Sequence, residues 1–338
     1  MDSQFAFDKI AVGSYPPKAD RSSILLLATK SKADSIKRVG FFYYVDLQQM
    51  KSGFVNIFGK PNAGKSTLLN ALLGEKLAIV SHKVQTTRHR IKGFLNKPNE
   101  YQIVFSDTPG IIEAKYKLHE KMMDAVKNAL EDADIALLII DVNDDLNECD
   151  ALFQSLKLKV PTILVLNKID QAQNGKIALA ESFFADKIYY KKIIKVSALH
   201  KHHLQKLLNA VIELLPEGLP FYNEDDLSDL PTKFFVSELI REKVYELFED
   251  EIPYHVAVMI NEFKEKETLV KIQADIVVQR ETQKAIIIGE KGKMIKQIGT
   301  LARKDIEQFI DRKVFLELFV KVKPKWRDNE LQLKEYGY

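Results

Sequence analysis

The sequence predicts an α/β fold in two parts: a mostly parallel sheet with helices on both faces, followed by a smaller α+β unit. From Gly53 to about Leu215, short continuous apolar runs alternate with stretches of helical periodicity. Such runs are typical of strands that are buried on both faces, and their alternation with helices indicates a doubly wound sheet. A glycine-rich loop stands between the first strand and the first helix, where such sheets bind phosphate.

The elements of the first part follow one another in a regular order. Pro98-Asn99 supplies a turn between the second and third strands, and Gly74 ends the first helix. Strands are predicted at 54–58, 91–95, 101–105, 135–140, 162–166 and 192–196, and helices at 67–73, 119–132 and 203–215.

A linker, residues 216–232, separates the two parts, because its three prolines and its acidic run discourage regular structure. Beyond it we predict a helix at 234–248, strands at 255–260 and 269–278, helices at 284–288 and 294–310, and a strand at 314–322. The chain is therefore divided into an N-terminal extension (1–49), a first domain (50–215), the linker, a second domain (233–328) and a C-terminal tail (329–338).

The composition is that of an ordinary globular protein. The chain has 338 residues, of which 29% are charged, and a formal net charge of +3, which does not by itself indicate nucleic-acid binding. The only cysteine, Cys149, excludes an intrachain disulfide and favours a reducing compartment. No apolar stretch approaches the ~20 residues of a membrane span.

The status of residues 1–49 is open between two alternatives. Their longest apolar run is too short for a secretory signal, and their aspartates argue against an organellar transit peptide. Met50 stands immediately before the first predicted strand. Translation that begins at Met50 and a small ordered appendage are about equally favoured.

The stretch from Gly59 to Ser66 matches the phosphate-binding P-loop pattern and lies between a predicted strand and a predicted helix. Its glycines let backbone N–H groups turn toward phosphate oxygens, and the helix N-terminus adds a partial positive charge. Lys65 is expected to reach the β- and γ-phosphates, and the Ser66 hydroxyl to ligate Mg²⁺. The predicted nucleotide contacts of this element are Gly59, Lys60, Pro61, Asn62, Ala63, Gly64, Lys65, Ser66 and Thr67.

Three further elements follow strand ends. Asp107-Thr108-Pro109-Gly110 is a common turn sequence, but its position predicts that Asp107 holds Mg²⁺ and that the Gly110 N–H meets the γ-phosphate. In Asn167-Lys168-Ile169-Asp170, the Asp170 carboxylate accepts from the N1–H and 2-amino groups of guanine, which adenine lacks, so GTP is favoured over ATP. The remaining predicted roles are base and P-loop contacts by Asn167, stacking by the Lys168 stem, and an N–H to the guanine O6 from Ser197-Ala198.

These elements in this order resemble the translation-factor-like GTPases, with Gln85-Thr86-Thr87-Arg88-His89-Arg90 as the fifth element. The resemblance implies a P-loop GTPase fold and a loop threonine that completes Mg²⁺ coordination when GTP is bound. By analogy with related double-threonine motifs, Thr87 is favoured over Thr86. Arg88 and Arg90 are expected to be exposed loop charges, either spectators or RNA contacts.

Hydrolysis is predicted to be slow. Where Ras-like enzymes carry a water-orienting glutamine, this sequence has Ile111, which cannot hydrogen-bond water. Asn62 resembles an asparagine that holds a potassium ion in related GTPases, and such an ion could neutralise charge in the transition state; the alternative is that Asn62 only stabilises the loop. The predicted catalytic set is Lys65, Thr87, Asn62 and Gly110.

The second part carries a Gly-x-x-Gly loop that resembles the signature of K-homology (KH) RNA-binding domains. The loop follows an isoleucine run and opens a basic helix, in an α-β-β-α-α-β order that resembles the type II KH arrangement. Such a loop clamps a single-stranded backbone. The predicted RNA contacts are Gly289, Glu290, Lys291, Gly292, Lys293 and Lys296. Trp326 is equally favoured as a base-stacking residue and as a packed anchor.

A GTPase domain followed by one type II KH domain resembles the Era family over roughly residues 51–330, and the first 49 residues depart from it. The resemblance implies a GTP- and GDP-binding GTPase that uses Mg²⁺, binds 16S ribosomal RNA near its 3′ end and assists assembly of the 30S subunit. A cytoplasmic monomer is expected, with K⁺ and weak peripheral contact with the inner membrane as open additions. The alternatives are a membrane-associated regulatory GTPase that couples cell cycle or metabolism, and an RNA-binding protein that uses GTP only as a structural ligand.

Overall fold

The first domain is built on a six-stranded sheet. The computed structural model describes residues 50–173 and 175–338, so the predictions for 1–49 lie outside the described residues. The strand order is β2-β3-β1-β4-β5-β6, with β2 antiparallel to β3 and the other pairs parallel, which confirms the mostly parallel sheet. The strands are β1 (Lys51–Phe58), β2 (Ile91–Lys97), β3 (Tyr101–Asp107), β4 (Ile135–Asp141), β5 (Thr162–Asn167) and β6 (Lys192–Lys195).

Helices cover both faces of this sheet. Alternate residues of β4 belong to different cores: Leu137 and Ile139 face one layer, whereas Leu138 and Ile140 face the other. This two-sided burial explains why the strand is a continuous apolar run. The helices are α1 (Lys65–Leu73), α2 (Lys117–Asp132), α3 (Leu146–Ser155), α4 (Lys176–Phe184) and α5 (Leu204–Leu214).

The second domain has the predicted α-β-β-α-α-β order. Its sheet is β7-β8-β9, with β8 antiparallel to β7 and parallel to β9. Residues such as Ile272 and Ile276 of β8 face a core that includes Ile298 and Ile306 from the long basic helix. The elements are α6 (Thr232–Leu247), β7 (Ala257–Glu265), β8 (Val270–Val278), α7 (Glu281–Ile288), α8 (Lys293–Ile310) and β9 (Val314–Val322).

The linker has no helix or regular strand before Thr232, yet it is held against the first sheet. The Gln102 side chain accepts from the backbone N–H groups of Phe221 and Tyr222 and donates to the Tyr222 carbonyl. The Tyr222 ring also stacks on Phe94, with centroids 3.9 Å apart. These contacts hold the early part of the linker against β2 and β3.

The tail is folded back onto the molecule. It contains a short helix, α9 (Glu330–Glu335), and Leu333 is buried. Trp326 is 0% exposed and its indole N–H donates to the His255 carbonyl at 3.0 Å. Trp326 is therefore a packed anchor, and the alternative of base stacking is wrong because the ring is out of reach of a ligand. Within residues 50–173 and 175–338, no helix is long and apolar enough to cross a membrane.

Candidate functional site

The P-loop joins β1 to α1 in a conformation that requires glycine. Gly64 has φ +98°, and a Cβ there would lie 2.2 Å from the Asn167 amide nitrogen. A Cβ at Gly59 would lie 2.5 Å from the carbonyl oxygen of Ile139. Real Cβ atoms do not approach other atoms this closely. Only glycine, which has no side chain, therefore lets the loop pack against the sheet at these two positions.

Lys65 folds back across the loop. Its ammonium donates to the carbonyl oxygens of Gly59 and Lys60 at 3.2 and 2.8 Å, and the residue is only 5% exposed. Burial lowers the pKa of Lys65 to about 8, although the nearby Asp107 carboxylate opposes this shift. The Lys65 side chain therefore lines the cleft from a buried position, where its ammonium attracts phosphate oxygens.

Three oxygen-bearing side chains from separate elements converge beside Lys65. The Ser66 hydroxyl lies 2.8 Å from the Thr87 hydroxyl and donates to Asp107 Oδ2 at 2.5 Å. Asp107 Oδ1 is buried without a hydrogen-bond partner, and burial raises the pKa of this carboxyl to about 6. A buried carboxylate oxygen next to two hydroxyls fits Mg²⁺, which prefers oxygen ligands.

Of the two threonines, Thr87 faces this group. The Thr86 hydroxyl instead donates to the carbonyl of Lys83 at 2.6 Å. Thr108 is turned inward, where its hydroxyl donates to the Ile57 carbonyl. Gly110 lies against Pro61, and a Cβ at Gly110 would be 2.8 Å from that proline ring. The second strand-end motif therefore packs directly on the P-loop.

On the opposite side of the cleft, Asn167 connects three elements. Its amide nitrogen donates to the Ala63 carbonyl at 2.9 Å, and its oxygen accepts from the Ala198 N–H at 3.0 Å. Lys168 forms an ion pair with Asp141, at 2.7 Å. Asp170 lines the same cleft with its side chain largely shielded. The structure therefore brings the residues predicted to read guanine to one end of the cleft.

The cleft has a volume of about 750 Å³, and the second domain contributes to its wall. Its lining includes Tyr245 of α6 and the following Glu249, as well as P-loop residues. Sequence reasoning missed these residues because nothing local to α6 indicates that it faces a nucleotide cleft.

The loop that carries Thr87 is fastened to the second domain on both sides of that residue. Arg241 of α6 donates to the Thr86 carbonyl at 2.6 Å, and the Tyr245 hydroxyl donates to the Gln85 carbonyl at 3.1 Å. Arg88 enters a turn of the second domain, where its guanidinium donates to the carbonyls of Pro253, Tyr254 and Val256.

The expectation that Arg88 and Arg90 are exposed charges is wrong. Arg88 is only 2% exposed. Carbonyl groups of the second domain accept the hydrogen bonds that its guanidinium would otherwise donate to water. Arg90 forms two hydrogen bonds with the Asp132 carboxylate, at 2.6 and 2.9 Å, and also donates to Ser106. Both arginines therefore stabilise the fold in these positions, and neither is presented to solvent as an RNA contact.

Asn62 has φ +63° and contacts the segment that leads to Thr87. Its amide nitrogen donates to the carbonyl oxygen of His82 at 2.7 Å. This hydrogen bond ties the P-loop to the segment that precedes Thr87, as the loop-stabilising alternative for Asn62 requires.

The Gly-x-x-Gly loop of the second domain is closely packed at its first glycine and open at its second. Gly289 has φ +70° and packs on Met294, whereas the nearest atom to a Cβ at Gly292 is 3.9 Å away. The side chains of this segment are exposed to solvent: Glu290, Lys291, Lys293 and Lys296. A groove of about 300 Å³ runs beside them, lined by Ile295, Lys296, Gly299, Thr300, Arg303 and Leu318.

Taken with the sheet topology, these sites define a P-loop GTPase domain joined to a KH domain. Residues 54–168 match a family model described as 50S ribosome-binding GTPase, and residues 251–327 match the KH domain model. The chain is 47% identical over 294 residues to GTPase Era of Geobacter sp. (strain M21), a match that covers 86% of this chain and 99% of that protein. It is 42% identical over 292 residues to GTPase Era of Clostridium kluyveri, with 86% and 99% coverage. The chain belongs to the Era family of GTPases, as its motifs predicted.

Two solved structures resemble the whole described fold. Each is 41% identical, covers 86% of this chain and 99% of its own, and superposes with a TM-score of 0.82. One is Era in complex with MgGDPNP and nucleotides 1506–1542 of 16S ribosomal RNA. The other is an Aquifex aeolicus Era variant bound to GDP·AlF4⁻.

Proposed function

We propose that this protein hydrolyses GTP and, in its GTP-bound state, binds 16S ribosomal RNA near the 3′ end to assist assembly of the small ribosomal subunit. The observation that carries the proposal is the attachment of the Thr87 loop to the second domain, because it links a nucleotide cleft to an RNA-binding domain. The 41% identical Era that was solved with MgGDPNP and 16S RNA nucleotides supports the choice of ligands. Such a task places the protein in the cytoplasm.

The nucleotide is held by residues at two ends of the cleft. The P-loop backbone and Lys65 take the phosphates, and Asp170 and the Ala198 N–H take guanine. Ser66, Thr87 and Asp107 hold Mg²⁺, which neutralises phosphate charge when bound. Asn167 positions the P-loop and the Ala198 segment relative to each other, since it hydrogen-bonds to both.

Hydrolysis is slow in the absence of a partner. Ile111 offers no hydrogen bond to the attacking water, and the buried Arg88 and half-buried Arg90 are committed to other acceptors. Asn62 therefore becomes a candidate ligand for K⁺, whose charge would stabilise the transition state. Equal hydrolysis rates in potassium and sodium buffers would remove this role for Asn62.

Coupling between the sites follows from thermodynamic linkage. GTP favours the loop arrangement in which Thr87 meets Ser66, and that arrangement is fastened to α6 and to the turn at Pro253. If GTP raises the affinity for RNA by a given factor, RNA raises the affinity for GTP by the same factor. Hydrolysis would release the threonine and lower the affinity for RNA.

The RNA assignment is tested with a labelled oligonucleotide of the 16S 3′ end in Mg²⁺ and a non-hydrolysable GTP analogue. We expect tight binding to this sequence, and weak binding to a scrambled oligonucleotide of equal length. Replacing Glu290 and Lys291 by aspartates should lower RNA affinity by roughly tenfold or more, because the change at Lys291 removes a positive charge and places a negative one opposite phosphate, while GTP affinity stays unchanged. Equal affinity for both oligonucleotides would contradict the assignment, and crosslinking in cells would then identify the true RNA.

The domain boundaries belong to the same proposal. We assign residues 50–215 to GTP, 233–328 to RNA, and 216–232 to a connection that sets the geometry between them. The stacking of Tyr222 on Phe94 supports this role of the linker, since it anchors the connection to the first sheet.

A further inference from the structure

The C-terminal tail (329–338) and the short turn before it (Trp326–Asp328) form one element, called the tail below, which contacts the chain immediately after Thr87. The Tyr338 ring stacks on His89, with centroids 4.4 Å apart and an interplanar angle of 17°. Its hydroxyl accepts a hydrogen bond from Arg88 at 3.3 Å. Thus the two residues that follow Thr87 are both held by one tail side chain.

The same tail contacts the segment that follows Gly110. Trp326 and Leu333 share a hydrophobic cluster with Leu118 of α2. The Arg327 guanidinium lies over the Tyr116 ring, 4.2 Å from its centroid. The tail therefore touches both segments whose positions respond to the γ-phosphate in P-loop GTPases.

Those two segments are also joined to each other. The Tyr116 hydroxyl donates to the Gln85 side chain at 3.2 Å. Gln85 stands two residues before Thr87, and Tyr116 lies under the tail residue Arg327. A displacement of the tail would therefore loosen the Thr87 loop from two directions, through Tyr338 and through Tyr116.

We infer that the tail is a positioning element for Thr87: it holds the loop where Thr87 meets Ser66 and Asp107, and so favours GTP over GDP. The inference rests on the proposed role of Thr87 as a Mg²⁺ ligand when GTP is bound. GDP lacks the γ-phosphate and does not require this loop arrangement. A contact that stabilises only one arrangement of the Thr87 loop raises the affinity of a ligand that requires this arrangement. It leaves the affinity of a ligand that does not require it unchanged.

The test compares Tyr338→Ala with wild type, using the full chain and fluorescent GDP and GTP-analogue probes in Mg²⁺. Loss of the stacked ring should weaken GTP-analogue binding by about fivefold and leave GDP affinity unchanged, as expected for an aromatic pair. Tyr338→Phe keeps the stack and should restore most of the GTP-analogue affinity. Leu331→Ala is the matched tail control, because Leu331 is 80% exposed, and it should behave as wild type.

A second readout is the hydrogen exchange of residues 326–338, which should be slower with Mg²⁺ and the GTP analogue than with Mg²⁺ and GDP. An unchanged ratio of the two nucleotide affinities in folded Tyr338→Ala would overturn the inference. The variant Thr87→Ala distinguishes a failure of this inference about the tail from a failure of the proposed role of Thr87. If Thr87→Ala weakens GTP-analogue binding and Tyr338→Ala does not, the role of Thr87 stands and the role of the tail falls.

Discussion

Two glycine loops open helices in this molecule, and they are built for different ligands. In the P-loop, Gly64 approaches the Asn167 amide so closely that no other residue fits, and Lys65 is buried. In the KH loop, Gly289 is packed closely on Met294, but a Cβ at Gly292 would make only an ordinary contact at 3.9 Å, and Lys291 is exposed. A closed, preorganised loop suits a small ligand with fixed phosphates, whereas an open loop suits a polymer whose backbone varies in conformation.

Alanine at the two glycines tests this comparison and should give the largest effect. Gly64→Ala forces a Cβ within 2.2 Å of Asn167 at a φ of +98°, so we expect GTP affinity to fall by roughly a hundredfold or more. Gly292→Ala meets no atom closer than 3.9 Å and carries only the strain of a φ of +76°, so its GTP affinity should be unchanged. Titration with a fluorescent guanine nucleotide measures both. Similar nucleotide affinities in the two variants would break the distinction.

The closed cleft should also discriminate bases through one carboxylate. Asp170→Asn replaces an acceptor with a group that presents a donor to guanine, leaving polar groups unpaired in a shielded site. We expect GTP affinity to fall by about 2–3 kcal/mol, near a hundredfold. Competition between GTP and ATP measures the outcome. A variant that keeps its preference for GTP would show that another residue reads the base.

Acid pH should lower the stability of the folded protein through two histidines, His119 and His255. Burial, reinforced by nearby Arg327 and Arg88, lowers the pKa of His119 and of His255 to about 4. Between about pH 4 and 6.5 the unfolded chain then binds more protons at these histidines than the folded protein does, so stability decreases as pH falls through this window.

Thermal unfolding at several pH values measures this smaller effect. The double variant His119→Asn, His255→Asn removes two titrating rings and should reduce the decrease between pH 6.5 and 4, and the remainder comes from His89, whose pKa burial also lowers to about 4. The same pH dependence in this double variant as in wild type would assign the effect to other groups.

The parts of the site that lie at strand ends were predictable from the sequence. Asp107 and Asn167 stand at the ends of strands, Ser66 follows the P-loop that leaves a third strand, and the carboxyl ends of parallel strands meet at one edge of the sheet. Residue type and position together were therefore enough to group them.

The connection between the domains could not be predicted in the same way. Arg88 looks like an ordinary loop charge until a turn 165 residues later supplies carbonyls that bury it. Trp326 was undecided for the same reason, because only the folded tail determines whether its ring is covered. The helices α3 and α4 were also missed, since segments of ten and nine residues carry little periodic signal.

The most direct test of the coupling measures affinity for the 16S 3′-end oligonucleotide with Mg²⁺ and either GTP analogue or GDP, in wild type and Arg88→Lys. Lysine keeps the positive charge but lacks the planar fork that reaches several carbonyls. We predict that wild type binds RNA roughly tenfold more tightly with the GTP analogue, and that the ratio falls toward one in Arg88→Lys. Equal RNA affinity in both nucleotide states of wild type, or an undiminished ratio in the folded variant, would contradict coupling through this loop.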